Sequence, residues 1–382
     1  MKIISFYLPQ FHTIPENDKW WGEGFTEWVN VKKARPLFEG HEQPKVPLGA
    51  NYYNLLDVEV MRRQAQIAKE HGVYGFCFYH YWFDGRMLLE KPVENYMKEK
   101  SIDFPYCICW ANENWTNQWV EDKHTVLISQ TYGGPKEWEQ HYSYLRSFFL
   151  DKRYIKKDNK PLFIIYRPDL ISKMSEMIET FNKCAVADGL EGICFVCQRP
   201  DSLLSGNASD ISMFNYCIEY QPMVAFNSLN EKKQSLLWLR KIKRNLLMKA
   251  EKYLHITTAG LKLSNVKRDN VRTYDYDELW REIISLKRMS QNSIPGAFVN
   301  WDNTPRKGQR GSVVLGVTPE KFKQYLSQQI SHTKSEYEQD MIFMFAWNEW
   351  AEGGYLEPDE INKFAYLNGI REALQENNEF PW

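Results

Sequence analysis

Short runs of apolar, β-branched and aromatic residues alternate along the chain with longer stretches whose apolar positions recur every three or four residues. The short runs span residues 3–8, 75–79, 106–110, 162–166, 193–197, 213–217, 296–300 and 342–346. They are nearly continuous in apolar character. That suits strands buried on both faces, as in a parallel sheet covered by helices. The longer stretches predict helices over 57–71, 88–98, 137–150, 170–187, 235–254, 276–289, 319–332 and 360–375. In the first of these Val58, Met61, Ala65 and Ala68 form one stripe and Gly72 is a stop signal. Thr318 before Pro319 marks a helix start. Eight strands alternating with eight helices read as one closed (β/α)8 TIM barrel, an α/β fold covering residues 1–382 as a single domain. Its βα loops are extended, the first at about 9–56, and an insertion at about 218–275 follows the sixth strand.

A barrel of this kind carries its active site at the C-terminal rim of the strands. Polar and aromatic residues gather there. The first strand holds Tyr7 and runs into Gln10 and His12, and the second into His80, Tyr81 and Trp82. The third gives Asn112, Glu113, Asn114 and Trp115, the fourth Tyr166 and Arg167, the fifth Gln198 and Arg199. Glu219 and Tyr220 follow the sixth. The seventh gives Trp301, Asp302, Asn303 and Arg306, and the eighth Trp347, Asn348, Glu349, Trp350 and Glu352.

Charge narrows the client. The formal net charge is -1, which removes the electrostatic case for a dedicated nucleic-acid binder. Aromatic residues make up 15% of the chain, more than a core needs, and with no basic excess their stacking faces point to sugars. Of the 7 cysteines, Cys77, Cys107, Cys109, Cys194, Cys197 and Cys217 fall in strand-like runs and read as buried reduced thiols. The Cys194-x-x-Cys197 pair lies inside GICFVCQ with no second pair of matching spacing, so neither a metal nor any other cofactor is expected. The apolar runs of about six residues fall far short of a transmembrane helix. The N-terminus reads as a strand rather than a signal peptide, which gives a cytoplasmic expectation.

The richest chemistry follows the last strand, in FMFAWNEWAEGGYLEPD. Glu349 and Glu352 stand three apart, a spacing that puts two carboxylates on one side of a tight turn. Acid/base work on a glycosidic bond needs such a pair, one member protonated and the other ionised. Trp347 and Trp350 offer a dry wall and a stacking face, and Gly353 and Gly354 let the backbone turn. In WANENWTNQW, Asn112, Glu113 and Asn114 suit sugar hydroxyls, and Trp115 and Trp119 suit sugar rings. His80 in FYHYWFDGR is a candidate for orienting a hydroxyl, or else a satisfied structural histidine. Asp302, Asn303 and Arg306 form a polar patch in NWDNTPRKGQRG, whose basic residues either meet an acidic group or face solvent.

Five stretches carry a resemblance across nearly the whole chain: FYLPQFHTIPENDKWWGEGFTEWVNV, GVYGFCFYHYWF, ICWANENWT, FVNWDNTPRKGQRG and WNEWAEGGYLEPD. In them the chain resembles the WbsX-type family, a glycosyltransferase-designated group of polysaccharide-biosynthesis loci. That group is itself similar to endo-α-mannosidase and endo-α-mannanase glycoside hydrolases. The resemblance implies a (β/α)8 barrel. It also implies that Glu352 is the general acid for the leaving group. Glu349 would then draw the proton from the sugar 2-hydroxyl, whose oxygen attacks C1 through an epoxide-like intermediate with retention. The hydrolase motif commonly has His where this chain has Ala351, so the carboxylates carry over and the mannosidase substrate does not.

Three functions remain open on these grounds. The first is a glycoside hydrolase or transglycosylase acting on a bacterial oligosaccharide or polysaccharide. The second is a glycosyltransferase of O-antigen, capsule or lipopolysaccharide assembly. The third is a non-catalytic glycan-binding barrel. The segment 232–252 has eight Lys/Arg against the single acid Glu251, with Leu236, Leu239, Ile242, Leu246 and Leu247 at roughly helical spacing. It is either a candidate for peripheral contact with an anionic membrane surface or an ordinary decorating helix.

Overall fold

Apolar runs too short for helices and too apolar for one-sided strands find their place in a closed parallel sheet. The structure is a computed structural model describing residues 1–116, 126–198, 211–233 and 271–382. Its barrel strands are β1 (Lys2–Tyr7), β2 (Val73–Phe83), β3 (Tyr106–Trp110), β4 (Lys160–Ile165), β5 (Cys194–Cys197), β6 (Tyr216–Glu219), β7 (Ser293–Phe298) and β8 (Met341–Phe345). Each pairs in parallel with its sequence neighbours. β1 pairs with both β2 and β8, through Ile4 opposite Gly75 and Ile3 opposite Ile342, which closes the ring. With its helices this is the (β/α)8 barrel the pattern predicts.

Seven of the expected helices are present: Val58–Glu70, Lys91–Lys98, Pro135–Phe149, Met174–Ala187, Tyr276–Ser285, Pro319–His332 and Ala365–Glu376. The second starts later than expected because Leu88 is taken into a hairpin strand, Arg86–Leu88, against the tip of β2. Pro92 then sits in the first helical turn. Thr318 caps Pro319–His332, its side chain accepting from the Lys321 N–H at 3.3 Å. The eighth expected helix, 235–254, lies outside the described residues, as do Trp119 and Arg199.

Two expectations need correcting. Alternation is not strict: two helices, 223–233 and Tyr276–Ser285, follow β6, and among the described residues a 3₁₀ turn, Ile211–Met213, precedes it. The sixth strand also runs to Glu219, two residues beyond its apolar run. Glu219 tolerates that buried place because its carboxylate accepts from the Met289 N–H (2.9 Å) and the Tyr337 hydroxyl (2.6 Å). Both partners lie away from the rim, so Glu219 belongs to the barrel wall. Within the basic segment, Lys232 and Lys233 pair with Glu282 and Glu278 of the neighbouring helix. Among the described residues no helix is long and apolar enough to cross a membrane.

The β6–β7 seam gives a direct test of the packing. A Cβ on Gly296 would lie 2.3 Å from the Glu219 carbonyl oxygen and 3.0 Å from the Gln221 nitrogen. Gly296→Ala is expected to cost roughly 2–3 kcal/mol in urea unfolding, because backbone rather than a movable side chain must yield. A loss below roughly 0.5 kcal/mol would contradict this contact.

Candidate active site

β8 ends at Phe345, and the chain then makes a two-residue ladder, Asn348–Glu349 against Gly354–Tyr355, closed by the 3₁₀ turn Trp350–Glu352. Gly353 completes the turn at φ +67°, and a Cβ there would lie 2.8 Å from the Asp302 nitrogen. Only glycine fits that position without displacing the neighbouring loop. Asn348 fastens the turn to the end of β1, accepting from the Leu8 N–H (2.7 Å) and donating to its carbonyl (3.0 Å). The turn brings Glu349 and Glu352 to one guanidinium.

That guanidinium is Arg306, on the short helix Thr304–Lys307 after β7, with its side chain 7% exposed. Nη1 donates to Glu352 at 2.7 Å and Nη2 to Glu349 at 3.4 Å. Nε donates to Glu27 at 3.1 Å. Among the described residues three carboxylates therefore share one cation. Burial works against the charge on Arg306, but Glu27, Glu352 and Glu349 override it and hold the group charged. Burial pushes the Glu349 carboxyl up to about 8, Arg306 opposes the rise, and Glu352 and Glu27 add to it. Burial thus favours the protonated form of Glu349. The sign for stability follows. Folded Glu349 keeps a proton that the unfolded chain releases above about 4.5, so its contribution to stability falls as pH rises from there to about 8.

The pair opens into a cleft of ≈ 320 Å³ at the C-terminal rim. Gln10, Tyr81, Glu113, Asn114, Trp115, Tyr166 and Arg306 line it together with Glu349 and Glu352. Trp115 stands edge-on to Tyr81, ring centroids 5.0 Å apart, leaving an aromatic wall suited to a sugar face. Glu113 is tied at 2.6 Å to Arg167, which also grips Asp169. Tyr79 and Tyr220 also line the cleft: Gln198 donates to the Tyr79 hydroxyl (3.2 Å), which lies 3.5 Å from that of Tyr220.

The other expected site residues face elsewhere. Tyr7 points out of the barrel and donates to Gln64 at 2.6 Å. His80 and Trp82 lie in the layer under helix Pro135–Phe149. There His80 meets His141 at 3.0 Å, and Trp82 donates to Glu137. Burial lowers His80 to about 3, so it is a neutral structural histidine. His12 is buried with Nδ1 3.1 Å from the Thr13 carbonyl. Asn112 clips the third loop to the fourth through the Arg167 backbone, at 2.8 and 2.7 Å. Asp302 is saturated by His41, Gln43 and Thr304, and Asn303 accepts from the Ser312 N–H. Trp347 is fully buried against Phe76. Trp350 is fully buried, stacked 3.8 Å from Tyr355 and donating to Glu357. These two indoles are core, not sugar platforms.

Glu27 and Tyr79 were not among the expected site residues. Tyr79 was legible as the last residue of an apolar run one position before His80. Glu27, in a polar stretch of the first loop, carries no periodic signal that separates it from a surface glutamate.

Residues 3–370 match the family described as glycosyltransferase WbsX. Over 378 residues the chain is 33% identical to the uncharacterized protein WxcX of Xanthomonas campestris pv. campestris, in two strains alike. The match covers 97% of this chain and 49% of WxcX, so the chain spans about half the length of the curated relatives it matches. The GH99 endo-alpha-mannosidase from Bacteroides thetaiotaomicron, in complex with bis-tris-propane, superposes with a TM-score of 0.56 at 15% identity, over 99% of this chain and 97% of that one. A glycoside hydrolase-like protein gives 0.56 at 11% identity, over 97% and 93%. At such identities the likeness is one of fold.

Proposed function

The chain belongs to the glycosyltransferase WbsX family, and from that premise we propose that it is a carbohydrate-active enzyme that cleaves or transfers glycosidic bonds of a bacterial polysaccharide. The observation that carries the proposal is the Glu349–Glu352 pair on one buried arginine at the floor of an aromatic-walled cleft. A pair that works as acid and base shares one proton. Burial favours Glu349 as the holder of that proton at rest. As a sugar enters, the proton passes to Glu352, which delivers it to the leaving oxygen. Glu349, now ionised, takes the proton of the 2-hydroxyl while that oxygen closes on C1. A water or a sugar hydroxyl then opens the intermediate, giving its proton to Glu352, and Glu349 returns the other to O2. Two inversions at C1 amount to retention.

The family description favours a second reading, a glycosyltransferase that builds a glycan from an activated sugar donor. The two separate on products. A panel of bacterial glycans is expected to yield new reducing ends or rearranged oligosaccharides. Nucleotide release from sugar nucleotides, with no action on finished glycans, would favour the transferase.

The proton count sets the pH dependence. The active form holds one proton between the two carboxyls, and the last one leaves at about 8. kcat/KM is expected to fall above that pH, whichever oxygen carries the proton at rest. A rate still climbing at pH 9 would mean that the pair works fully ionised, against this mechanism.

A further inference from the structure

Glu27 lies behind the cleft, 2% exposed and absent from its lining, yet it grips the arginine that both candidate catalytic carboxylates share. One oxygen, Oε2, takes both Nε and Nη2 of Arg306 at 3.1 Å. The other accepts from Asn30 at 3.3 Å, and the Glu27 N–H donates to the carbonyl of Gln10, a cleft residue, at 3.0 Å. The next residue ties the same helix to the carboxylate turn: Trp28 packs against Trp350, ring centroids 5.6 Å apart. Glu27 and Trp28 thus meet Arg306 and the turn that carries Glu349 from one rigid element, helix Glu27–Lys33.

We propose that Glu27 is a positioning residue of this site, holding the Nε edge of Arg306 so that its Nη atoms face Glu349 and Glu352. The role rests on the functional reading of the pair but needs no particular sugar. A guanidinium is a planar fork, so fixing one edge fixes the directions of the rest. Glu27 also places a further carboxylate beside the pair, and its charge adds to the rise of Glu349. Among the described residues the charged and titratable groups that face Glu349 are Arg306 and Glu27 from their helices, Glu352 from its own turn, Tyr79 and Tyr81 from β2, and Tyr220 after β6. Of these only Glu27 and Glu352 share its sign as carboxylates, and only Glu27 is out of a sugar's reach.

Two substitutions separate geometry from charge. Glu27→Gln keeps an acceptor for Arg306 and removes the charge. Glu27→Ala removes both. In carboxyl-¹³C-glutamate-labelled protein, with the Glu349 resonance identified by Glu349→Gln, Glu27→Gln is expected to move the Glu349 midpoint roughly one pH unit lower. The high-pH limb of kcat/KM should move with it. Glu27→Ala is expected to lower kcat by 10- to 100-fold, by order of magnitude, with KM nearly unchanged, because a charge-assisted bond to Arg306 is lost and no sugar contact is. An unmoved Glu349 midpoint in Glu27→Gln would overturn the proposal. So would a Glu27→Ala defect confined to KM. The titration needs no turnover. If it shifts while wild-type protein acts on no glycan, the enzyme reading fails and the role of Glu27 in ordering the pair stands.

Discussion

Glu352→Gln is expected to lose on the order of 10³-fold in turnover of unactivated glycans, and under roughly tenfold with aryl glycosides whose leaving groups are acidic. The difference comes from the leaving oxygen. An alkoxide departs only if it is protonated, and Gln has no proton to give at that strength. A dinitrophenolate departs without help. The substitution preserves shape, and the amide oxygen can still accept from Arg306 Nη1, now 2.7 Å from the carboxylate, so the loss reports chemistry rather than folding. Glu349→Gln should behave differently, losing on the order of 10³-fold on both substrate types, because it acts on the attacking oxygen. Initial rates on a matched pair of substrates decide it. If the leaving-group rescue appears in Glu349→Gln instead, the two roles are exchanged. Equal losses in all four combinations would remove the acid assignment altogether.

The second large effect is on stability. Arg306→Met is expected to cost about 3–5 kcal/mol at pH 8, since it strands three carboxyls without their cation in a buried site. Methionine fills much of the side-chain volume, which keeps the cavity contribution small. The deficit should shrink at pH 5. Without the guanidinium that opposes the rise, Glu349 holds its proton to higher pH while the unfolded chain releases it above about 4.5, so the variant loses more stability than the wild type as pH rises. Urea unfolding at the two pH values measures both numbers. An equal deficit at pH 5 and pH 8 would show that Arg306 matters for packing rather than for its charge.

The fold was readable in the sequence wherever burial on both faces leaves an uninterrupted apolar run. All eight barrel strands overlap the predicted runs; β7 is displaced toward its start and β6 toward its end, where it stops on a glutamate whose partners come from far along the chain. The site was half readable. Rim position follows from where a strand stops, but the direction a side chain takes there depends on a period of two. Along the end of β2, Tyr79 and Tyr81 face the cleft, whereas His80 and Trp82 turn to the helix layer. A motif cannot show this unless the register is known to one residue. Asn112 and Asn348 illustrate a second limit: amides that suit sugar hydroxyls suit exposed backbone ends equally well, and here they clip neighbouring loops. Glu27 illustrates a third. Its importance comes from Arg306, 279 positions away, a pairing that only the closed barrel creates.

The central claim is that this barrel works on glycosidic bonds through Glu349 and Glu352. Its most direct test is reducing-end release from a panel of bacterial polysaccharides, run in parallel on the wild type, Glu349→Gln and Glu352→Gln. New reducing ends from at least one glycan with the wild type, and none above background with either variant, is the predicted result. Equal release by all three proteins, or nucleotide release from sugar nucleotides without any action on polysaccharide, would contradict it.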